Sequence, residues 1–194
     1  ETVIHTLQPQ ASLTVIDQST GEVKAIVGGR GDKTASKTLN RATDTTRQPG
    51  STFKILAAYS AALDAGGLTL ASVQDDAPYT YAGANGKSVN NYDRRYRGFT
   101  TLREAITDSI NIVTVKTLAQ AGVSLGWQYV QEYGFTTVDS RDMNEALALG
   151  GITQGVSNLE LTAAYAAIAN QGTYIRPKFY TKILDHDGNV LIDN

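Results

Sequence analysis

Residues 51–65 restrict the fold of this 194-residue chain more than any other segment, because they are helix-compatible and apolar nearly all the way round. The apolar positions are Phe53, Ile55, Leu56, Tyr59, Ala62 and Leu63. A helix that is apolar on every side belongs in the interior of a protein, where other elements cover it. We therefore predict a buried central helix over residues 51–65, ended by the glycine at position 66.

The first turn of this predicted helix carries a serine and a lysine three residues apart, Ser51 and Lys54. Positions i and i+3 share a helical face, so the lysine amine can reach the serine hydroxyl. The helix N-terminus favours negative charge at Ser51, and desolvation favours a neutral Lys54 that can accept a proton. The pair fits a serine nucleophile with a lysine base. Taken alone, the two residues are explained more simply by an N-capping serine and a solvated lysine.

Cysteine and histidine are too scarce for most other routes to a nucleophile or a metal site. The chain has no cysteine, which excludes disulfides and thiolate catalysis, and its only histidines are His5 and His186, near opposite ends. We therefore expect neither a Ser-His-Asp triad nor a metal or cofactor, and lysine is the natural base. A formal charge of −2 gives no bias towards nucleic acid, and no apolar run approaches the roughly 20 residues of a membrane span.

Strand signals lie towards both ends of the chain. Residues 11–29 read as a β-hairpin, and residues 178–192 read as a second hairpin with a turn at residues 185–189. Residues 28–46 and 68–98 are polar or rich in turn residues and are predicted as loops, apart from one short strand near Tyr79.

Helix signals fill the region between the hairpins. Thr101 and Ser157 are each followed three residues later by a glutamate, which is the pattern of a capping box at a helix start. A helical break is expected near Ser109. Helices flanked by strands predict an α+β fold, and no linker divides residues 1–194, so we expect one domain.

A Ser-x-Asn triplet would complement a serine–lysine pair, because a hydroxyl can relay protons and an asparagine can orient a substrate amide. The chain has two such triplets, Ser88-Val89-Asn90 and Ser109-Ile110-Asn111. Serine and asparagine are also ordinary loop residues. Ser109 and Asn111 lie at the junction of two predicted helices, and this more rigid position favours the second triplet.

These segments, taken in order, resemble the transpeptidase domain of class A (bifunctional) penicillin-binding proteins. Residues 47–54 (Arg-Gln-Pro-Gly-Ser-Thr-Phe-Lys) resemble the first active-site motif of that family. The approach to its second motif is resembled by residues 91–93, 96–98, 101–105 and 109–111, and its next helical stretch by residues 150–156 and 163–172. This continuity favours Ser109-Ile110-Asn111 over the earlier triplet.

The resemblance implies an α+β fold of the β-lactamase and transpeptidase type and a D,D-transpeptidase of peptidoglycan. Ser51 would attack the carbonyl between two terminal D-alanines of a stem peptide, with Lys54 as the base. Ser109 would relay the proton to the leaving amine, and Asn111 would bind the donor amide. Peptidoglycan stem peptides and β-lactam antibiotics would be its partners. It would work on the extracytoplasmic face of the bacterial membrane, anchored through an upstream segment.

The chain departs from the family pattern at the third motif, Lys-Thr/Ser-Gly, which these 194 residues lack. The resemblance therefore implies one incomplete domain over residues 1–194, completed by a second polypeptide with the remaining strands. The alternatives are a serine D,D-carboxypeptidase, a β-lactamase, or a non-catalytic β-lactam-binding module. A β-lactamase is less favoured, because no clear base for a deacylating water is present.

Overall fold

The structure is a computed structural model that describes residues 9–33, 35–82 and 86–194, so His5 lies outside the described residues. The described strands are β1 (Leu13–Ile16), β2 (Val23–Val27), β3 (Thr46–Arg47), β4 (Val73–Asp76), β5 (Tyr79–Thr80), β6 (Ser88–Val89), β7 (Gly98–Thr101), β8 (Val156–Ser157), β9 (Lys182–Leu184) and β10 (Val190–Asp193). The α-helices are α1 (Ser60–Asp64), α2 (Leu102–Thr107), α3 (Asn111–Ala121), α4 (Val123–Glu132) and α5 (Asn158–Ala169). The predicted α+β class is confirmed.

The chain forms two compact units. The sheet unit comprises Glu1–Thr46 and Ser157–Asn194, and the helical unit comprises Arg47–Val156. The chain passes from one unit to the other in the short strands β3 and β8.

The sheet unit contains both predicted hairpins. Strands β1 and β2 pair antiparallel, with Leu13 opposite Val27. Helix α5 packs on β1, where the Thr14 hydroxyl donates to Oδ1 of Asn158 at 2.7 Å. The predicted capping box of α5 is confirmed, because Ser157 accepts the backbone N–H of Glu160 and the Glu160 carboxylate accepts the N–H of Ser157.

Strands β9 and β10 form the second hairpin, which leaves most of its apolar side chains in solvent. Each of the following is more than a third exposed: Ile183, Leu184, Val190, Leu191 and Ile192. On the first hairpin Leu13, Val15 and Val27 are exposed by 45% to 52%. Large exposed apolar patches on a protein often mark interaction sites.

The helical unit is built around residues 50–64, which confirms the predicted buried central helix. Phe53, Leu56 and Tyr59 are at most 1% exposed. The segment is not one regular α-helix, because a 3-10 turn (Gly50–Phe53) and a π-helical turn (Ile55–Tyr59) precede α1. The wider π turn is matched by a bond from the Ser60 hydroxyl to the carbonyl oxygen of Ile55, five residues earlier, at 2.8 Å.

Two parts of the helical unit differ from the sequence prediction. The short strand predicted near Tyr79 is present as β5, which pairs with β6, but the region predicted as loops over residues 68–98 also contains β4, which pairs antiparallel with β7. Residues 150–155, placed by resemblance in a helical stretch, form a loop between the 3-10 helix Glu145–Leu149 and β8. Glycines at positions 150, 151 and 155 explain that loop, since two of them have left-handed backbones.

Candidate active site

Ser51 lies in the 3-10 turn that begins the central helical segment, and it is exposed. The backbone N–H of Lys54 donates to the carbonyl oxygen of Ser51, which closes this turn. In a 3-10 helix the side chains at i and i+3 eclipse one another. The turn therefore aligns the side chains of Ser51 and Lys54 along one edge more closely than an α-helix would.

The segment before Ser51 is held by a loop of the same unit. The side-chain amide of Gln48 donates to the carbonyl oxygen of Ile152, and the N–H of Ile152 donates back to Oε1 of Gln48 at 3.0 Å. A Cβ atom added to Gly150 would lie 2.5 Å from the carbonyl oxygen of Gly50, and one added to Gly155 would lie 2.6 Å from that of Arg47. Only glycine fits such close approaches at a left-handed backbone.

Lys54 is buried, with 3% of its surface exposed. Its ammonium donates to three oxygens: the carbonyl of Ser109 at 2.6 Å, the hydroxyl of Ser109 at 2.9 Å and Oδ1 of Asn111 at 2.6 Å. Burial lowers the pKa of Lys54 from 10.5 to about 8. The structure thus brings three of the four predicted site residues into direct contact, while Ser51 is not among the acceptors of Lys54.

Ser109 occupies the predicted break between α2 and α3, in a left-handed backbone conformation with φ of 53°. The N–H of Ile110 donates to the carbonyl of Ala105 at 2.9 Å, and the N–H of Ser109 donates to that of Ile106 at 3.3 Å. These two bonds define a Schellman motif that ends α2, with serine at the position that glycine usually occupies. Left-handed backbone costs a non-glycine residue about 1–2 kcal/mol, and such strain is found at functional sites.

Asn111 begins α3, and the two residues that follow β6, Asn90 and Asn91, hold it in place. Its amide nitrogen donates to the carbonyl oxygen of Asn90 at 2.8 Å, which leaves Oδ1 directed at Lys54. Its backbone N–H donates to Oδ1 of Asn91 at 3.0 Å. Among the residues that the structure describes, the other candidate triplet bonds to the site through the backbone of Asn90.

A family model decides the class of protein to which this site belongs. The model of the penicillin binding protein transpeptidase domain matches residues 11–193. The chain belongs to the penicillin-binding protein transpeptidase family. The resemblance that the sequence motifs indicated is thereby confirmed.

Relatives of the chain are penicillin-binding proteins. It is 37% identical to penicillin-binding protein 1A of Clostridium tetani over 97% of its length, and 42% identical to penicillin-binding protein 1F of Bacillus subtilis over 95%. The chain spans 25% of each of these relatives. Penicillin-binding protein 1A of Haemophilus influenzae is a similar solved structure, with a TM-score of 0.81 and 32% identity over 95% of this chain and 27% of that one.

A further solved structure supports the fold alone. The PonA1 protein of Mycobacterium tuberculosis, solved in complex with penicillin V, has a TM-score of 0.78 and 24% identity over 95% of this chain and 50% of that one.

In the part of our chain that the structure describes, no helix is long and apolar enough to cross a membrane.

In this penicillin-binding protein transpeptidase domain, the sequence patterns missed the residues that support the four predicted site positions. Gln48, Gly150 and Gly155 lie within segments matched to the family. The structure shows that the loop of residues 150–155 contacts residues 47–50, a pairing that the motifs did not indicate. Asn91 lies in the segment predicted as a loop, but it is 4% exposed and its side chain accepts the N–H of Asn111 at the start of α3. A single sequence carries no signal for such pairings, because the partners lie far apart along the chain.

Proposed function

We propose that this domain is the acyl-accepting part of a peptidoglycan D,D-transpeptidase in which Ser51 is the nucleophile and Lys54 its base. The observation that carries the proposal is the buried Lys54, whose pKa is lowered to about 8 and which stands three residues after an exposed serine in an eclipsing 3-10 turn. A lysine with this pKa is about one tenth neutral at pH 7, against about one in three thousand at 10.5. Neutral amine is what a general base requires.

In the proposed reaction, Ser51 Oγ attacks the carbonyl carbon between the two D-alanines and Lys54 takes the hydroxyl proton. The tetrahedral intermediate collapses as the C–N bond breaks and the proton passes through the Ser109 hydroxyl to the departing D-alanine amine. The resulting ester on Ser51 is attacked by the amine of a neighbouring stem, which forms the cross-link and returns a proton to Ser51. Asn111 binds the donor amide. A β-lactam would acylate Ser51 by opening its ring.

We also propose that strands outside these 194 residues, on a second polypeptide, complete the sheet and supply the Lys-Thr/Ser-Gly motif. The exposed apolar side chains of both hairpins support this, since open strand edges with apolar faces invite pairing. An enzyme that acts on stem peptides would lie on the extracytoplasmic face of the membrane, held there by an upstream anchor.

Intact mass spectrometry of the natively purified protein, before and after a penicillin, tests these proposals. We expect a penicillin-sized gain on this chain that Ser51→Ala abolishes, and a co-purifying polypeptide that carries the third motif. An adduct that persists in Ser51→Ala would refute the nucleophile. Acylation of the isolated, cooperatively folded 194-residue chain would refute the need for a second polypeptide.

The reaction class needs a second measurement, because β-lactam acylation alone does not separate a transpeptidase from its relatives. Stem peptide should give a cross-linked dimer when an acceptor amine is supplied. Release of the terminal D-alanine by hydrolysis, without formation of a dimer, would indicate a carboxypeptidase. Fast hydrolysis of the penicillin adduct would indicate a β-lactamase. An adduct that forms without either reaction would indicate a β-lactam-binding module.

A further inference from the structure

Two buried polar side chains, Asp76 and Asn91, lie behind Asn111 and take no part in the proposed chemistry. Asp76 is 0% exposed and Asn91 is 4% exposed. The amide nitrogen of Asn91 donates to the two oxygens of the Asp76 carboxylate at 2.8 and 2.9 Å, and to the carbonyl oxygen of Arg95 at 2.9 Å. Burying a carboxylate and an amide costs free energy unless their hydrogen bonds are made. Apolar side chains would fill the same space at lower cost, so these two residues are expected to have a role besides packing.

Asn91 caps α3 from a distant part of the chain. Its Oδ1 accepts the backbone N–H groups of Asn111 at 3.0 Å and Ile112 at 3.1 Å. The residue at the helix's own N-cap position, Ile110, has no side-chain acceptor. The first N–H groups of a helix need an outside partner, and here Asn91 provides it.

Asp76 determines which way the Asn91 amide faces. An ionised carboxylate only accepts hydrogen bonds, so it requires the NH₂ side of the amide and leaves Oδ1 for the helix. The carboxylate also accepts the backbone N–H of Arg97 at 3.0 Å and lies 3.8 Å from the Arg97 guanidinium. That guanidinium also pairs with Asp93 at 3.0 Å. The charge of Asp76 is thus compensated without help from the site residues.

The consequence reaches Lys54 through Asn111. Adjacent residues hold Asn111 at two points, since Asn91 accepts its backbone N–H and the Asn90 carbonyl accepts its side-chain NH₂. With both points fixed, Oδ1 of Asn111 is directed to the ammonium of Lys54 at 2.6 Å. If the amide of Asn91 were flipped, its NH₂ group would face the N–H groups of Asn111 and Ile112. Donors would then oppose donors, and α3 would lose both of these hydrogen bonds.

We propose that Asp76 and Asn91 are positioning residues that fix the amide of Asn111 against Lys54 for acylation. The inference rests on the proposed function, because it gives these residues a role in the reaction of Ser51. They touch no reacting atom, and they act through the start of α3.

A four-member mutant cycle in the full-length protein tests this proposal. The variants are Asn91→Asp, Asp76→Asn and the two combined, and the readout is the rate constant of Ser51 acylation at saturating fluorescent penicillin. Asn91→Asp sets two carboxylates against each other, and we expect the rate constant to fall about tenfold or more. The combined exchange restores one donor and one acceptor, and the carboxylate at position 91 still accepts from α3. We expect it to recover most of the lost rate, as coupled neighbours do.

Ser157→Ala is the matched control, because it also removes a helix N-cap but in the sheet unit. It should lower the unfolding temperature while leaving the acylation rate constant unchanged. The proposal is overturned if folded Asn91→Asp acylates within about threefold of this control, or if the exchange recovers nothing. Failure of the wild-type protein to acylate at Ser51 would instead overturn the proposed function, and this inference with it.

Discussion

The ammonium of Lys54 donates to Ser109 twice, to its carbonyl oxygen at 2.6 Å and to its hydroxyl at 2.9 Å. Both acceptors belong to the residue that turns the chain between α2 and α3 in a left-handed conformation. One residue therefore joins the helix stop, the burial of the lysine and the proposed proton relay. Because backbone and side chain serve different purposes here, they can be separated by mutation.

Ser109→Gly and Ser109→Ala separate the backbone strain from the hydroxyl. Both variants lack the hydroxyl, so we expect both to lose about two orders of magnitude in acylation rate, the usual range for a missing acid–base group. Glycine adopts the left-handed backbone without penalty, so Ser109→Gly should be more stable than Ser109→Ala by about 1 kcal/mol. Denaturant unfolding of the two purified proteins measures the difference. Equal stability, or lower stability for the glycine variant, would contradict a strained Ser109.

The pH dependence of acylation should report the titration of Lys54. Its pKa is lowered to about 8 by burial, so the neutral base accumulates as pH rises through about 8 rather than through 10.5. The second-order acylation rate constant should therefore increase about tenfold per pH unit below this value and level off above it. Stopped-flow measurements with a chromogenic β-lactam from about pH 6 to about pH 9 provide the profile. A flat profile over this range would exclude Lys54 as the base.

Gly150 should tolerate alanine far less well than Gly67, although both have φ of 71°. A Cβ atom at Gly67 meets nothing within 4 Å, whereas one at Gly150 would lie 2.5 Å from the Gly50 carbonyl oxygen and 2.6 Å from its nitrogen. Gly67→Ala therefore reports the cost of the backbone alone, about 1–2 kcal/mol. Gly150→Ala should cost about 1–3 kcal/mol more, and it should also slow acylation, because the displaced atoms belong to Gly50, in the same 3-10 turn as Ser51.

Urea unfolding and acylation kinetics on the same preparations of both variants provide the check. Similar stability losses in the two variants would show that the loop around Gly150 relaxes without disturbing residues 47–50.

The sequence supports prediction where the signal is local. Capping boxes, the apolar central segment and the turn residues of both hairpins each act through neighbours within a few positions, and the structure confirms the elements that they predict. The side chain of Lys54 contacts those of Ser109 and Asn111 in the structure, and the roles of these residues in a reaction stay predictions.

Features set by tertiary packing were not predictable in the same way. The π turn after Lys54 coincides with a close approach by α4, where a Cβ atom on Gly126 would lie 2.4 Å from the Ala57 carbonyl oxygen. The pairing of β4 with β7 joins segments that both read as loop or helix cap. From the sequence, Asn91 reads as a loop residue. Its role as a cap depends on α3, which begins twenty residues later and has no side-chain cap at its own N-cap position.

The reciprocal bonds between Gln48 and Ile152 should set the rate of acylation through the position of Ser51. Gln48→Glu keeps the acceptor for the Ile152 N–H but opposes a carboxylate to the Ile152 carbonyl oxygen, so one bond becomes a repulsion. We expect acylation to slow about tenfold, because small displacements of a nucleophile are costly. Gln48→Ala removes both bonds and should slow it further. Gln128→Ala, on the exposed surface of α4, should leave the rate unchanged. If Gln48→Glu acylates as fast as the wild type, the nucleophile turn is held by the glycine contacts at positions 150 and 155 alone.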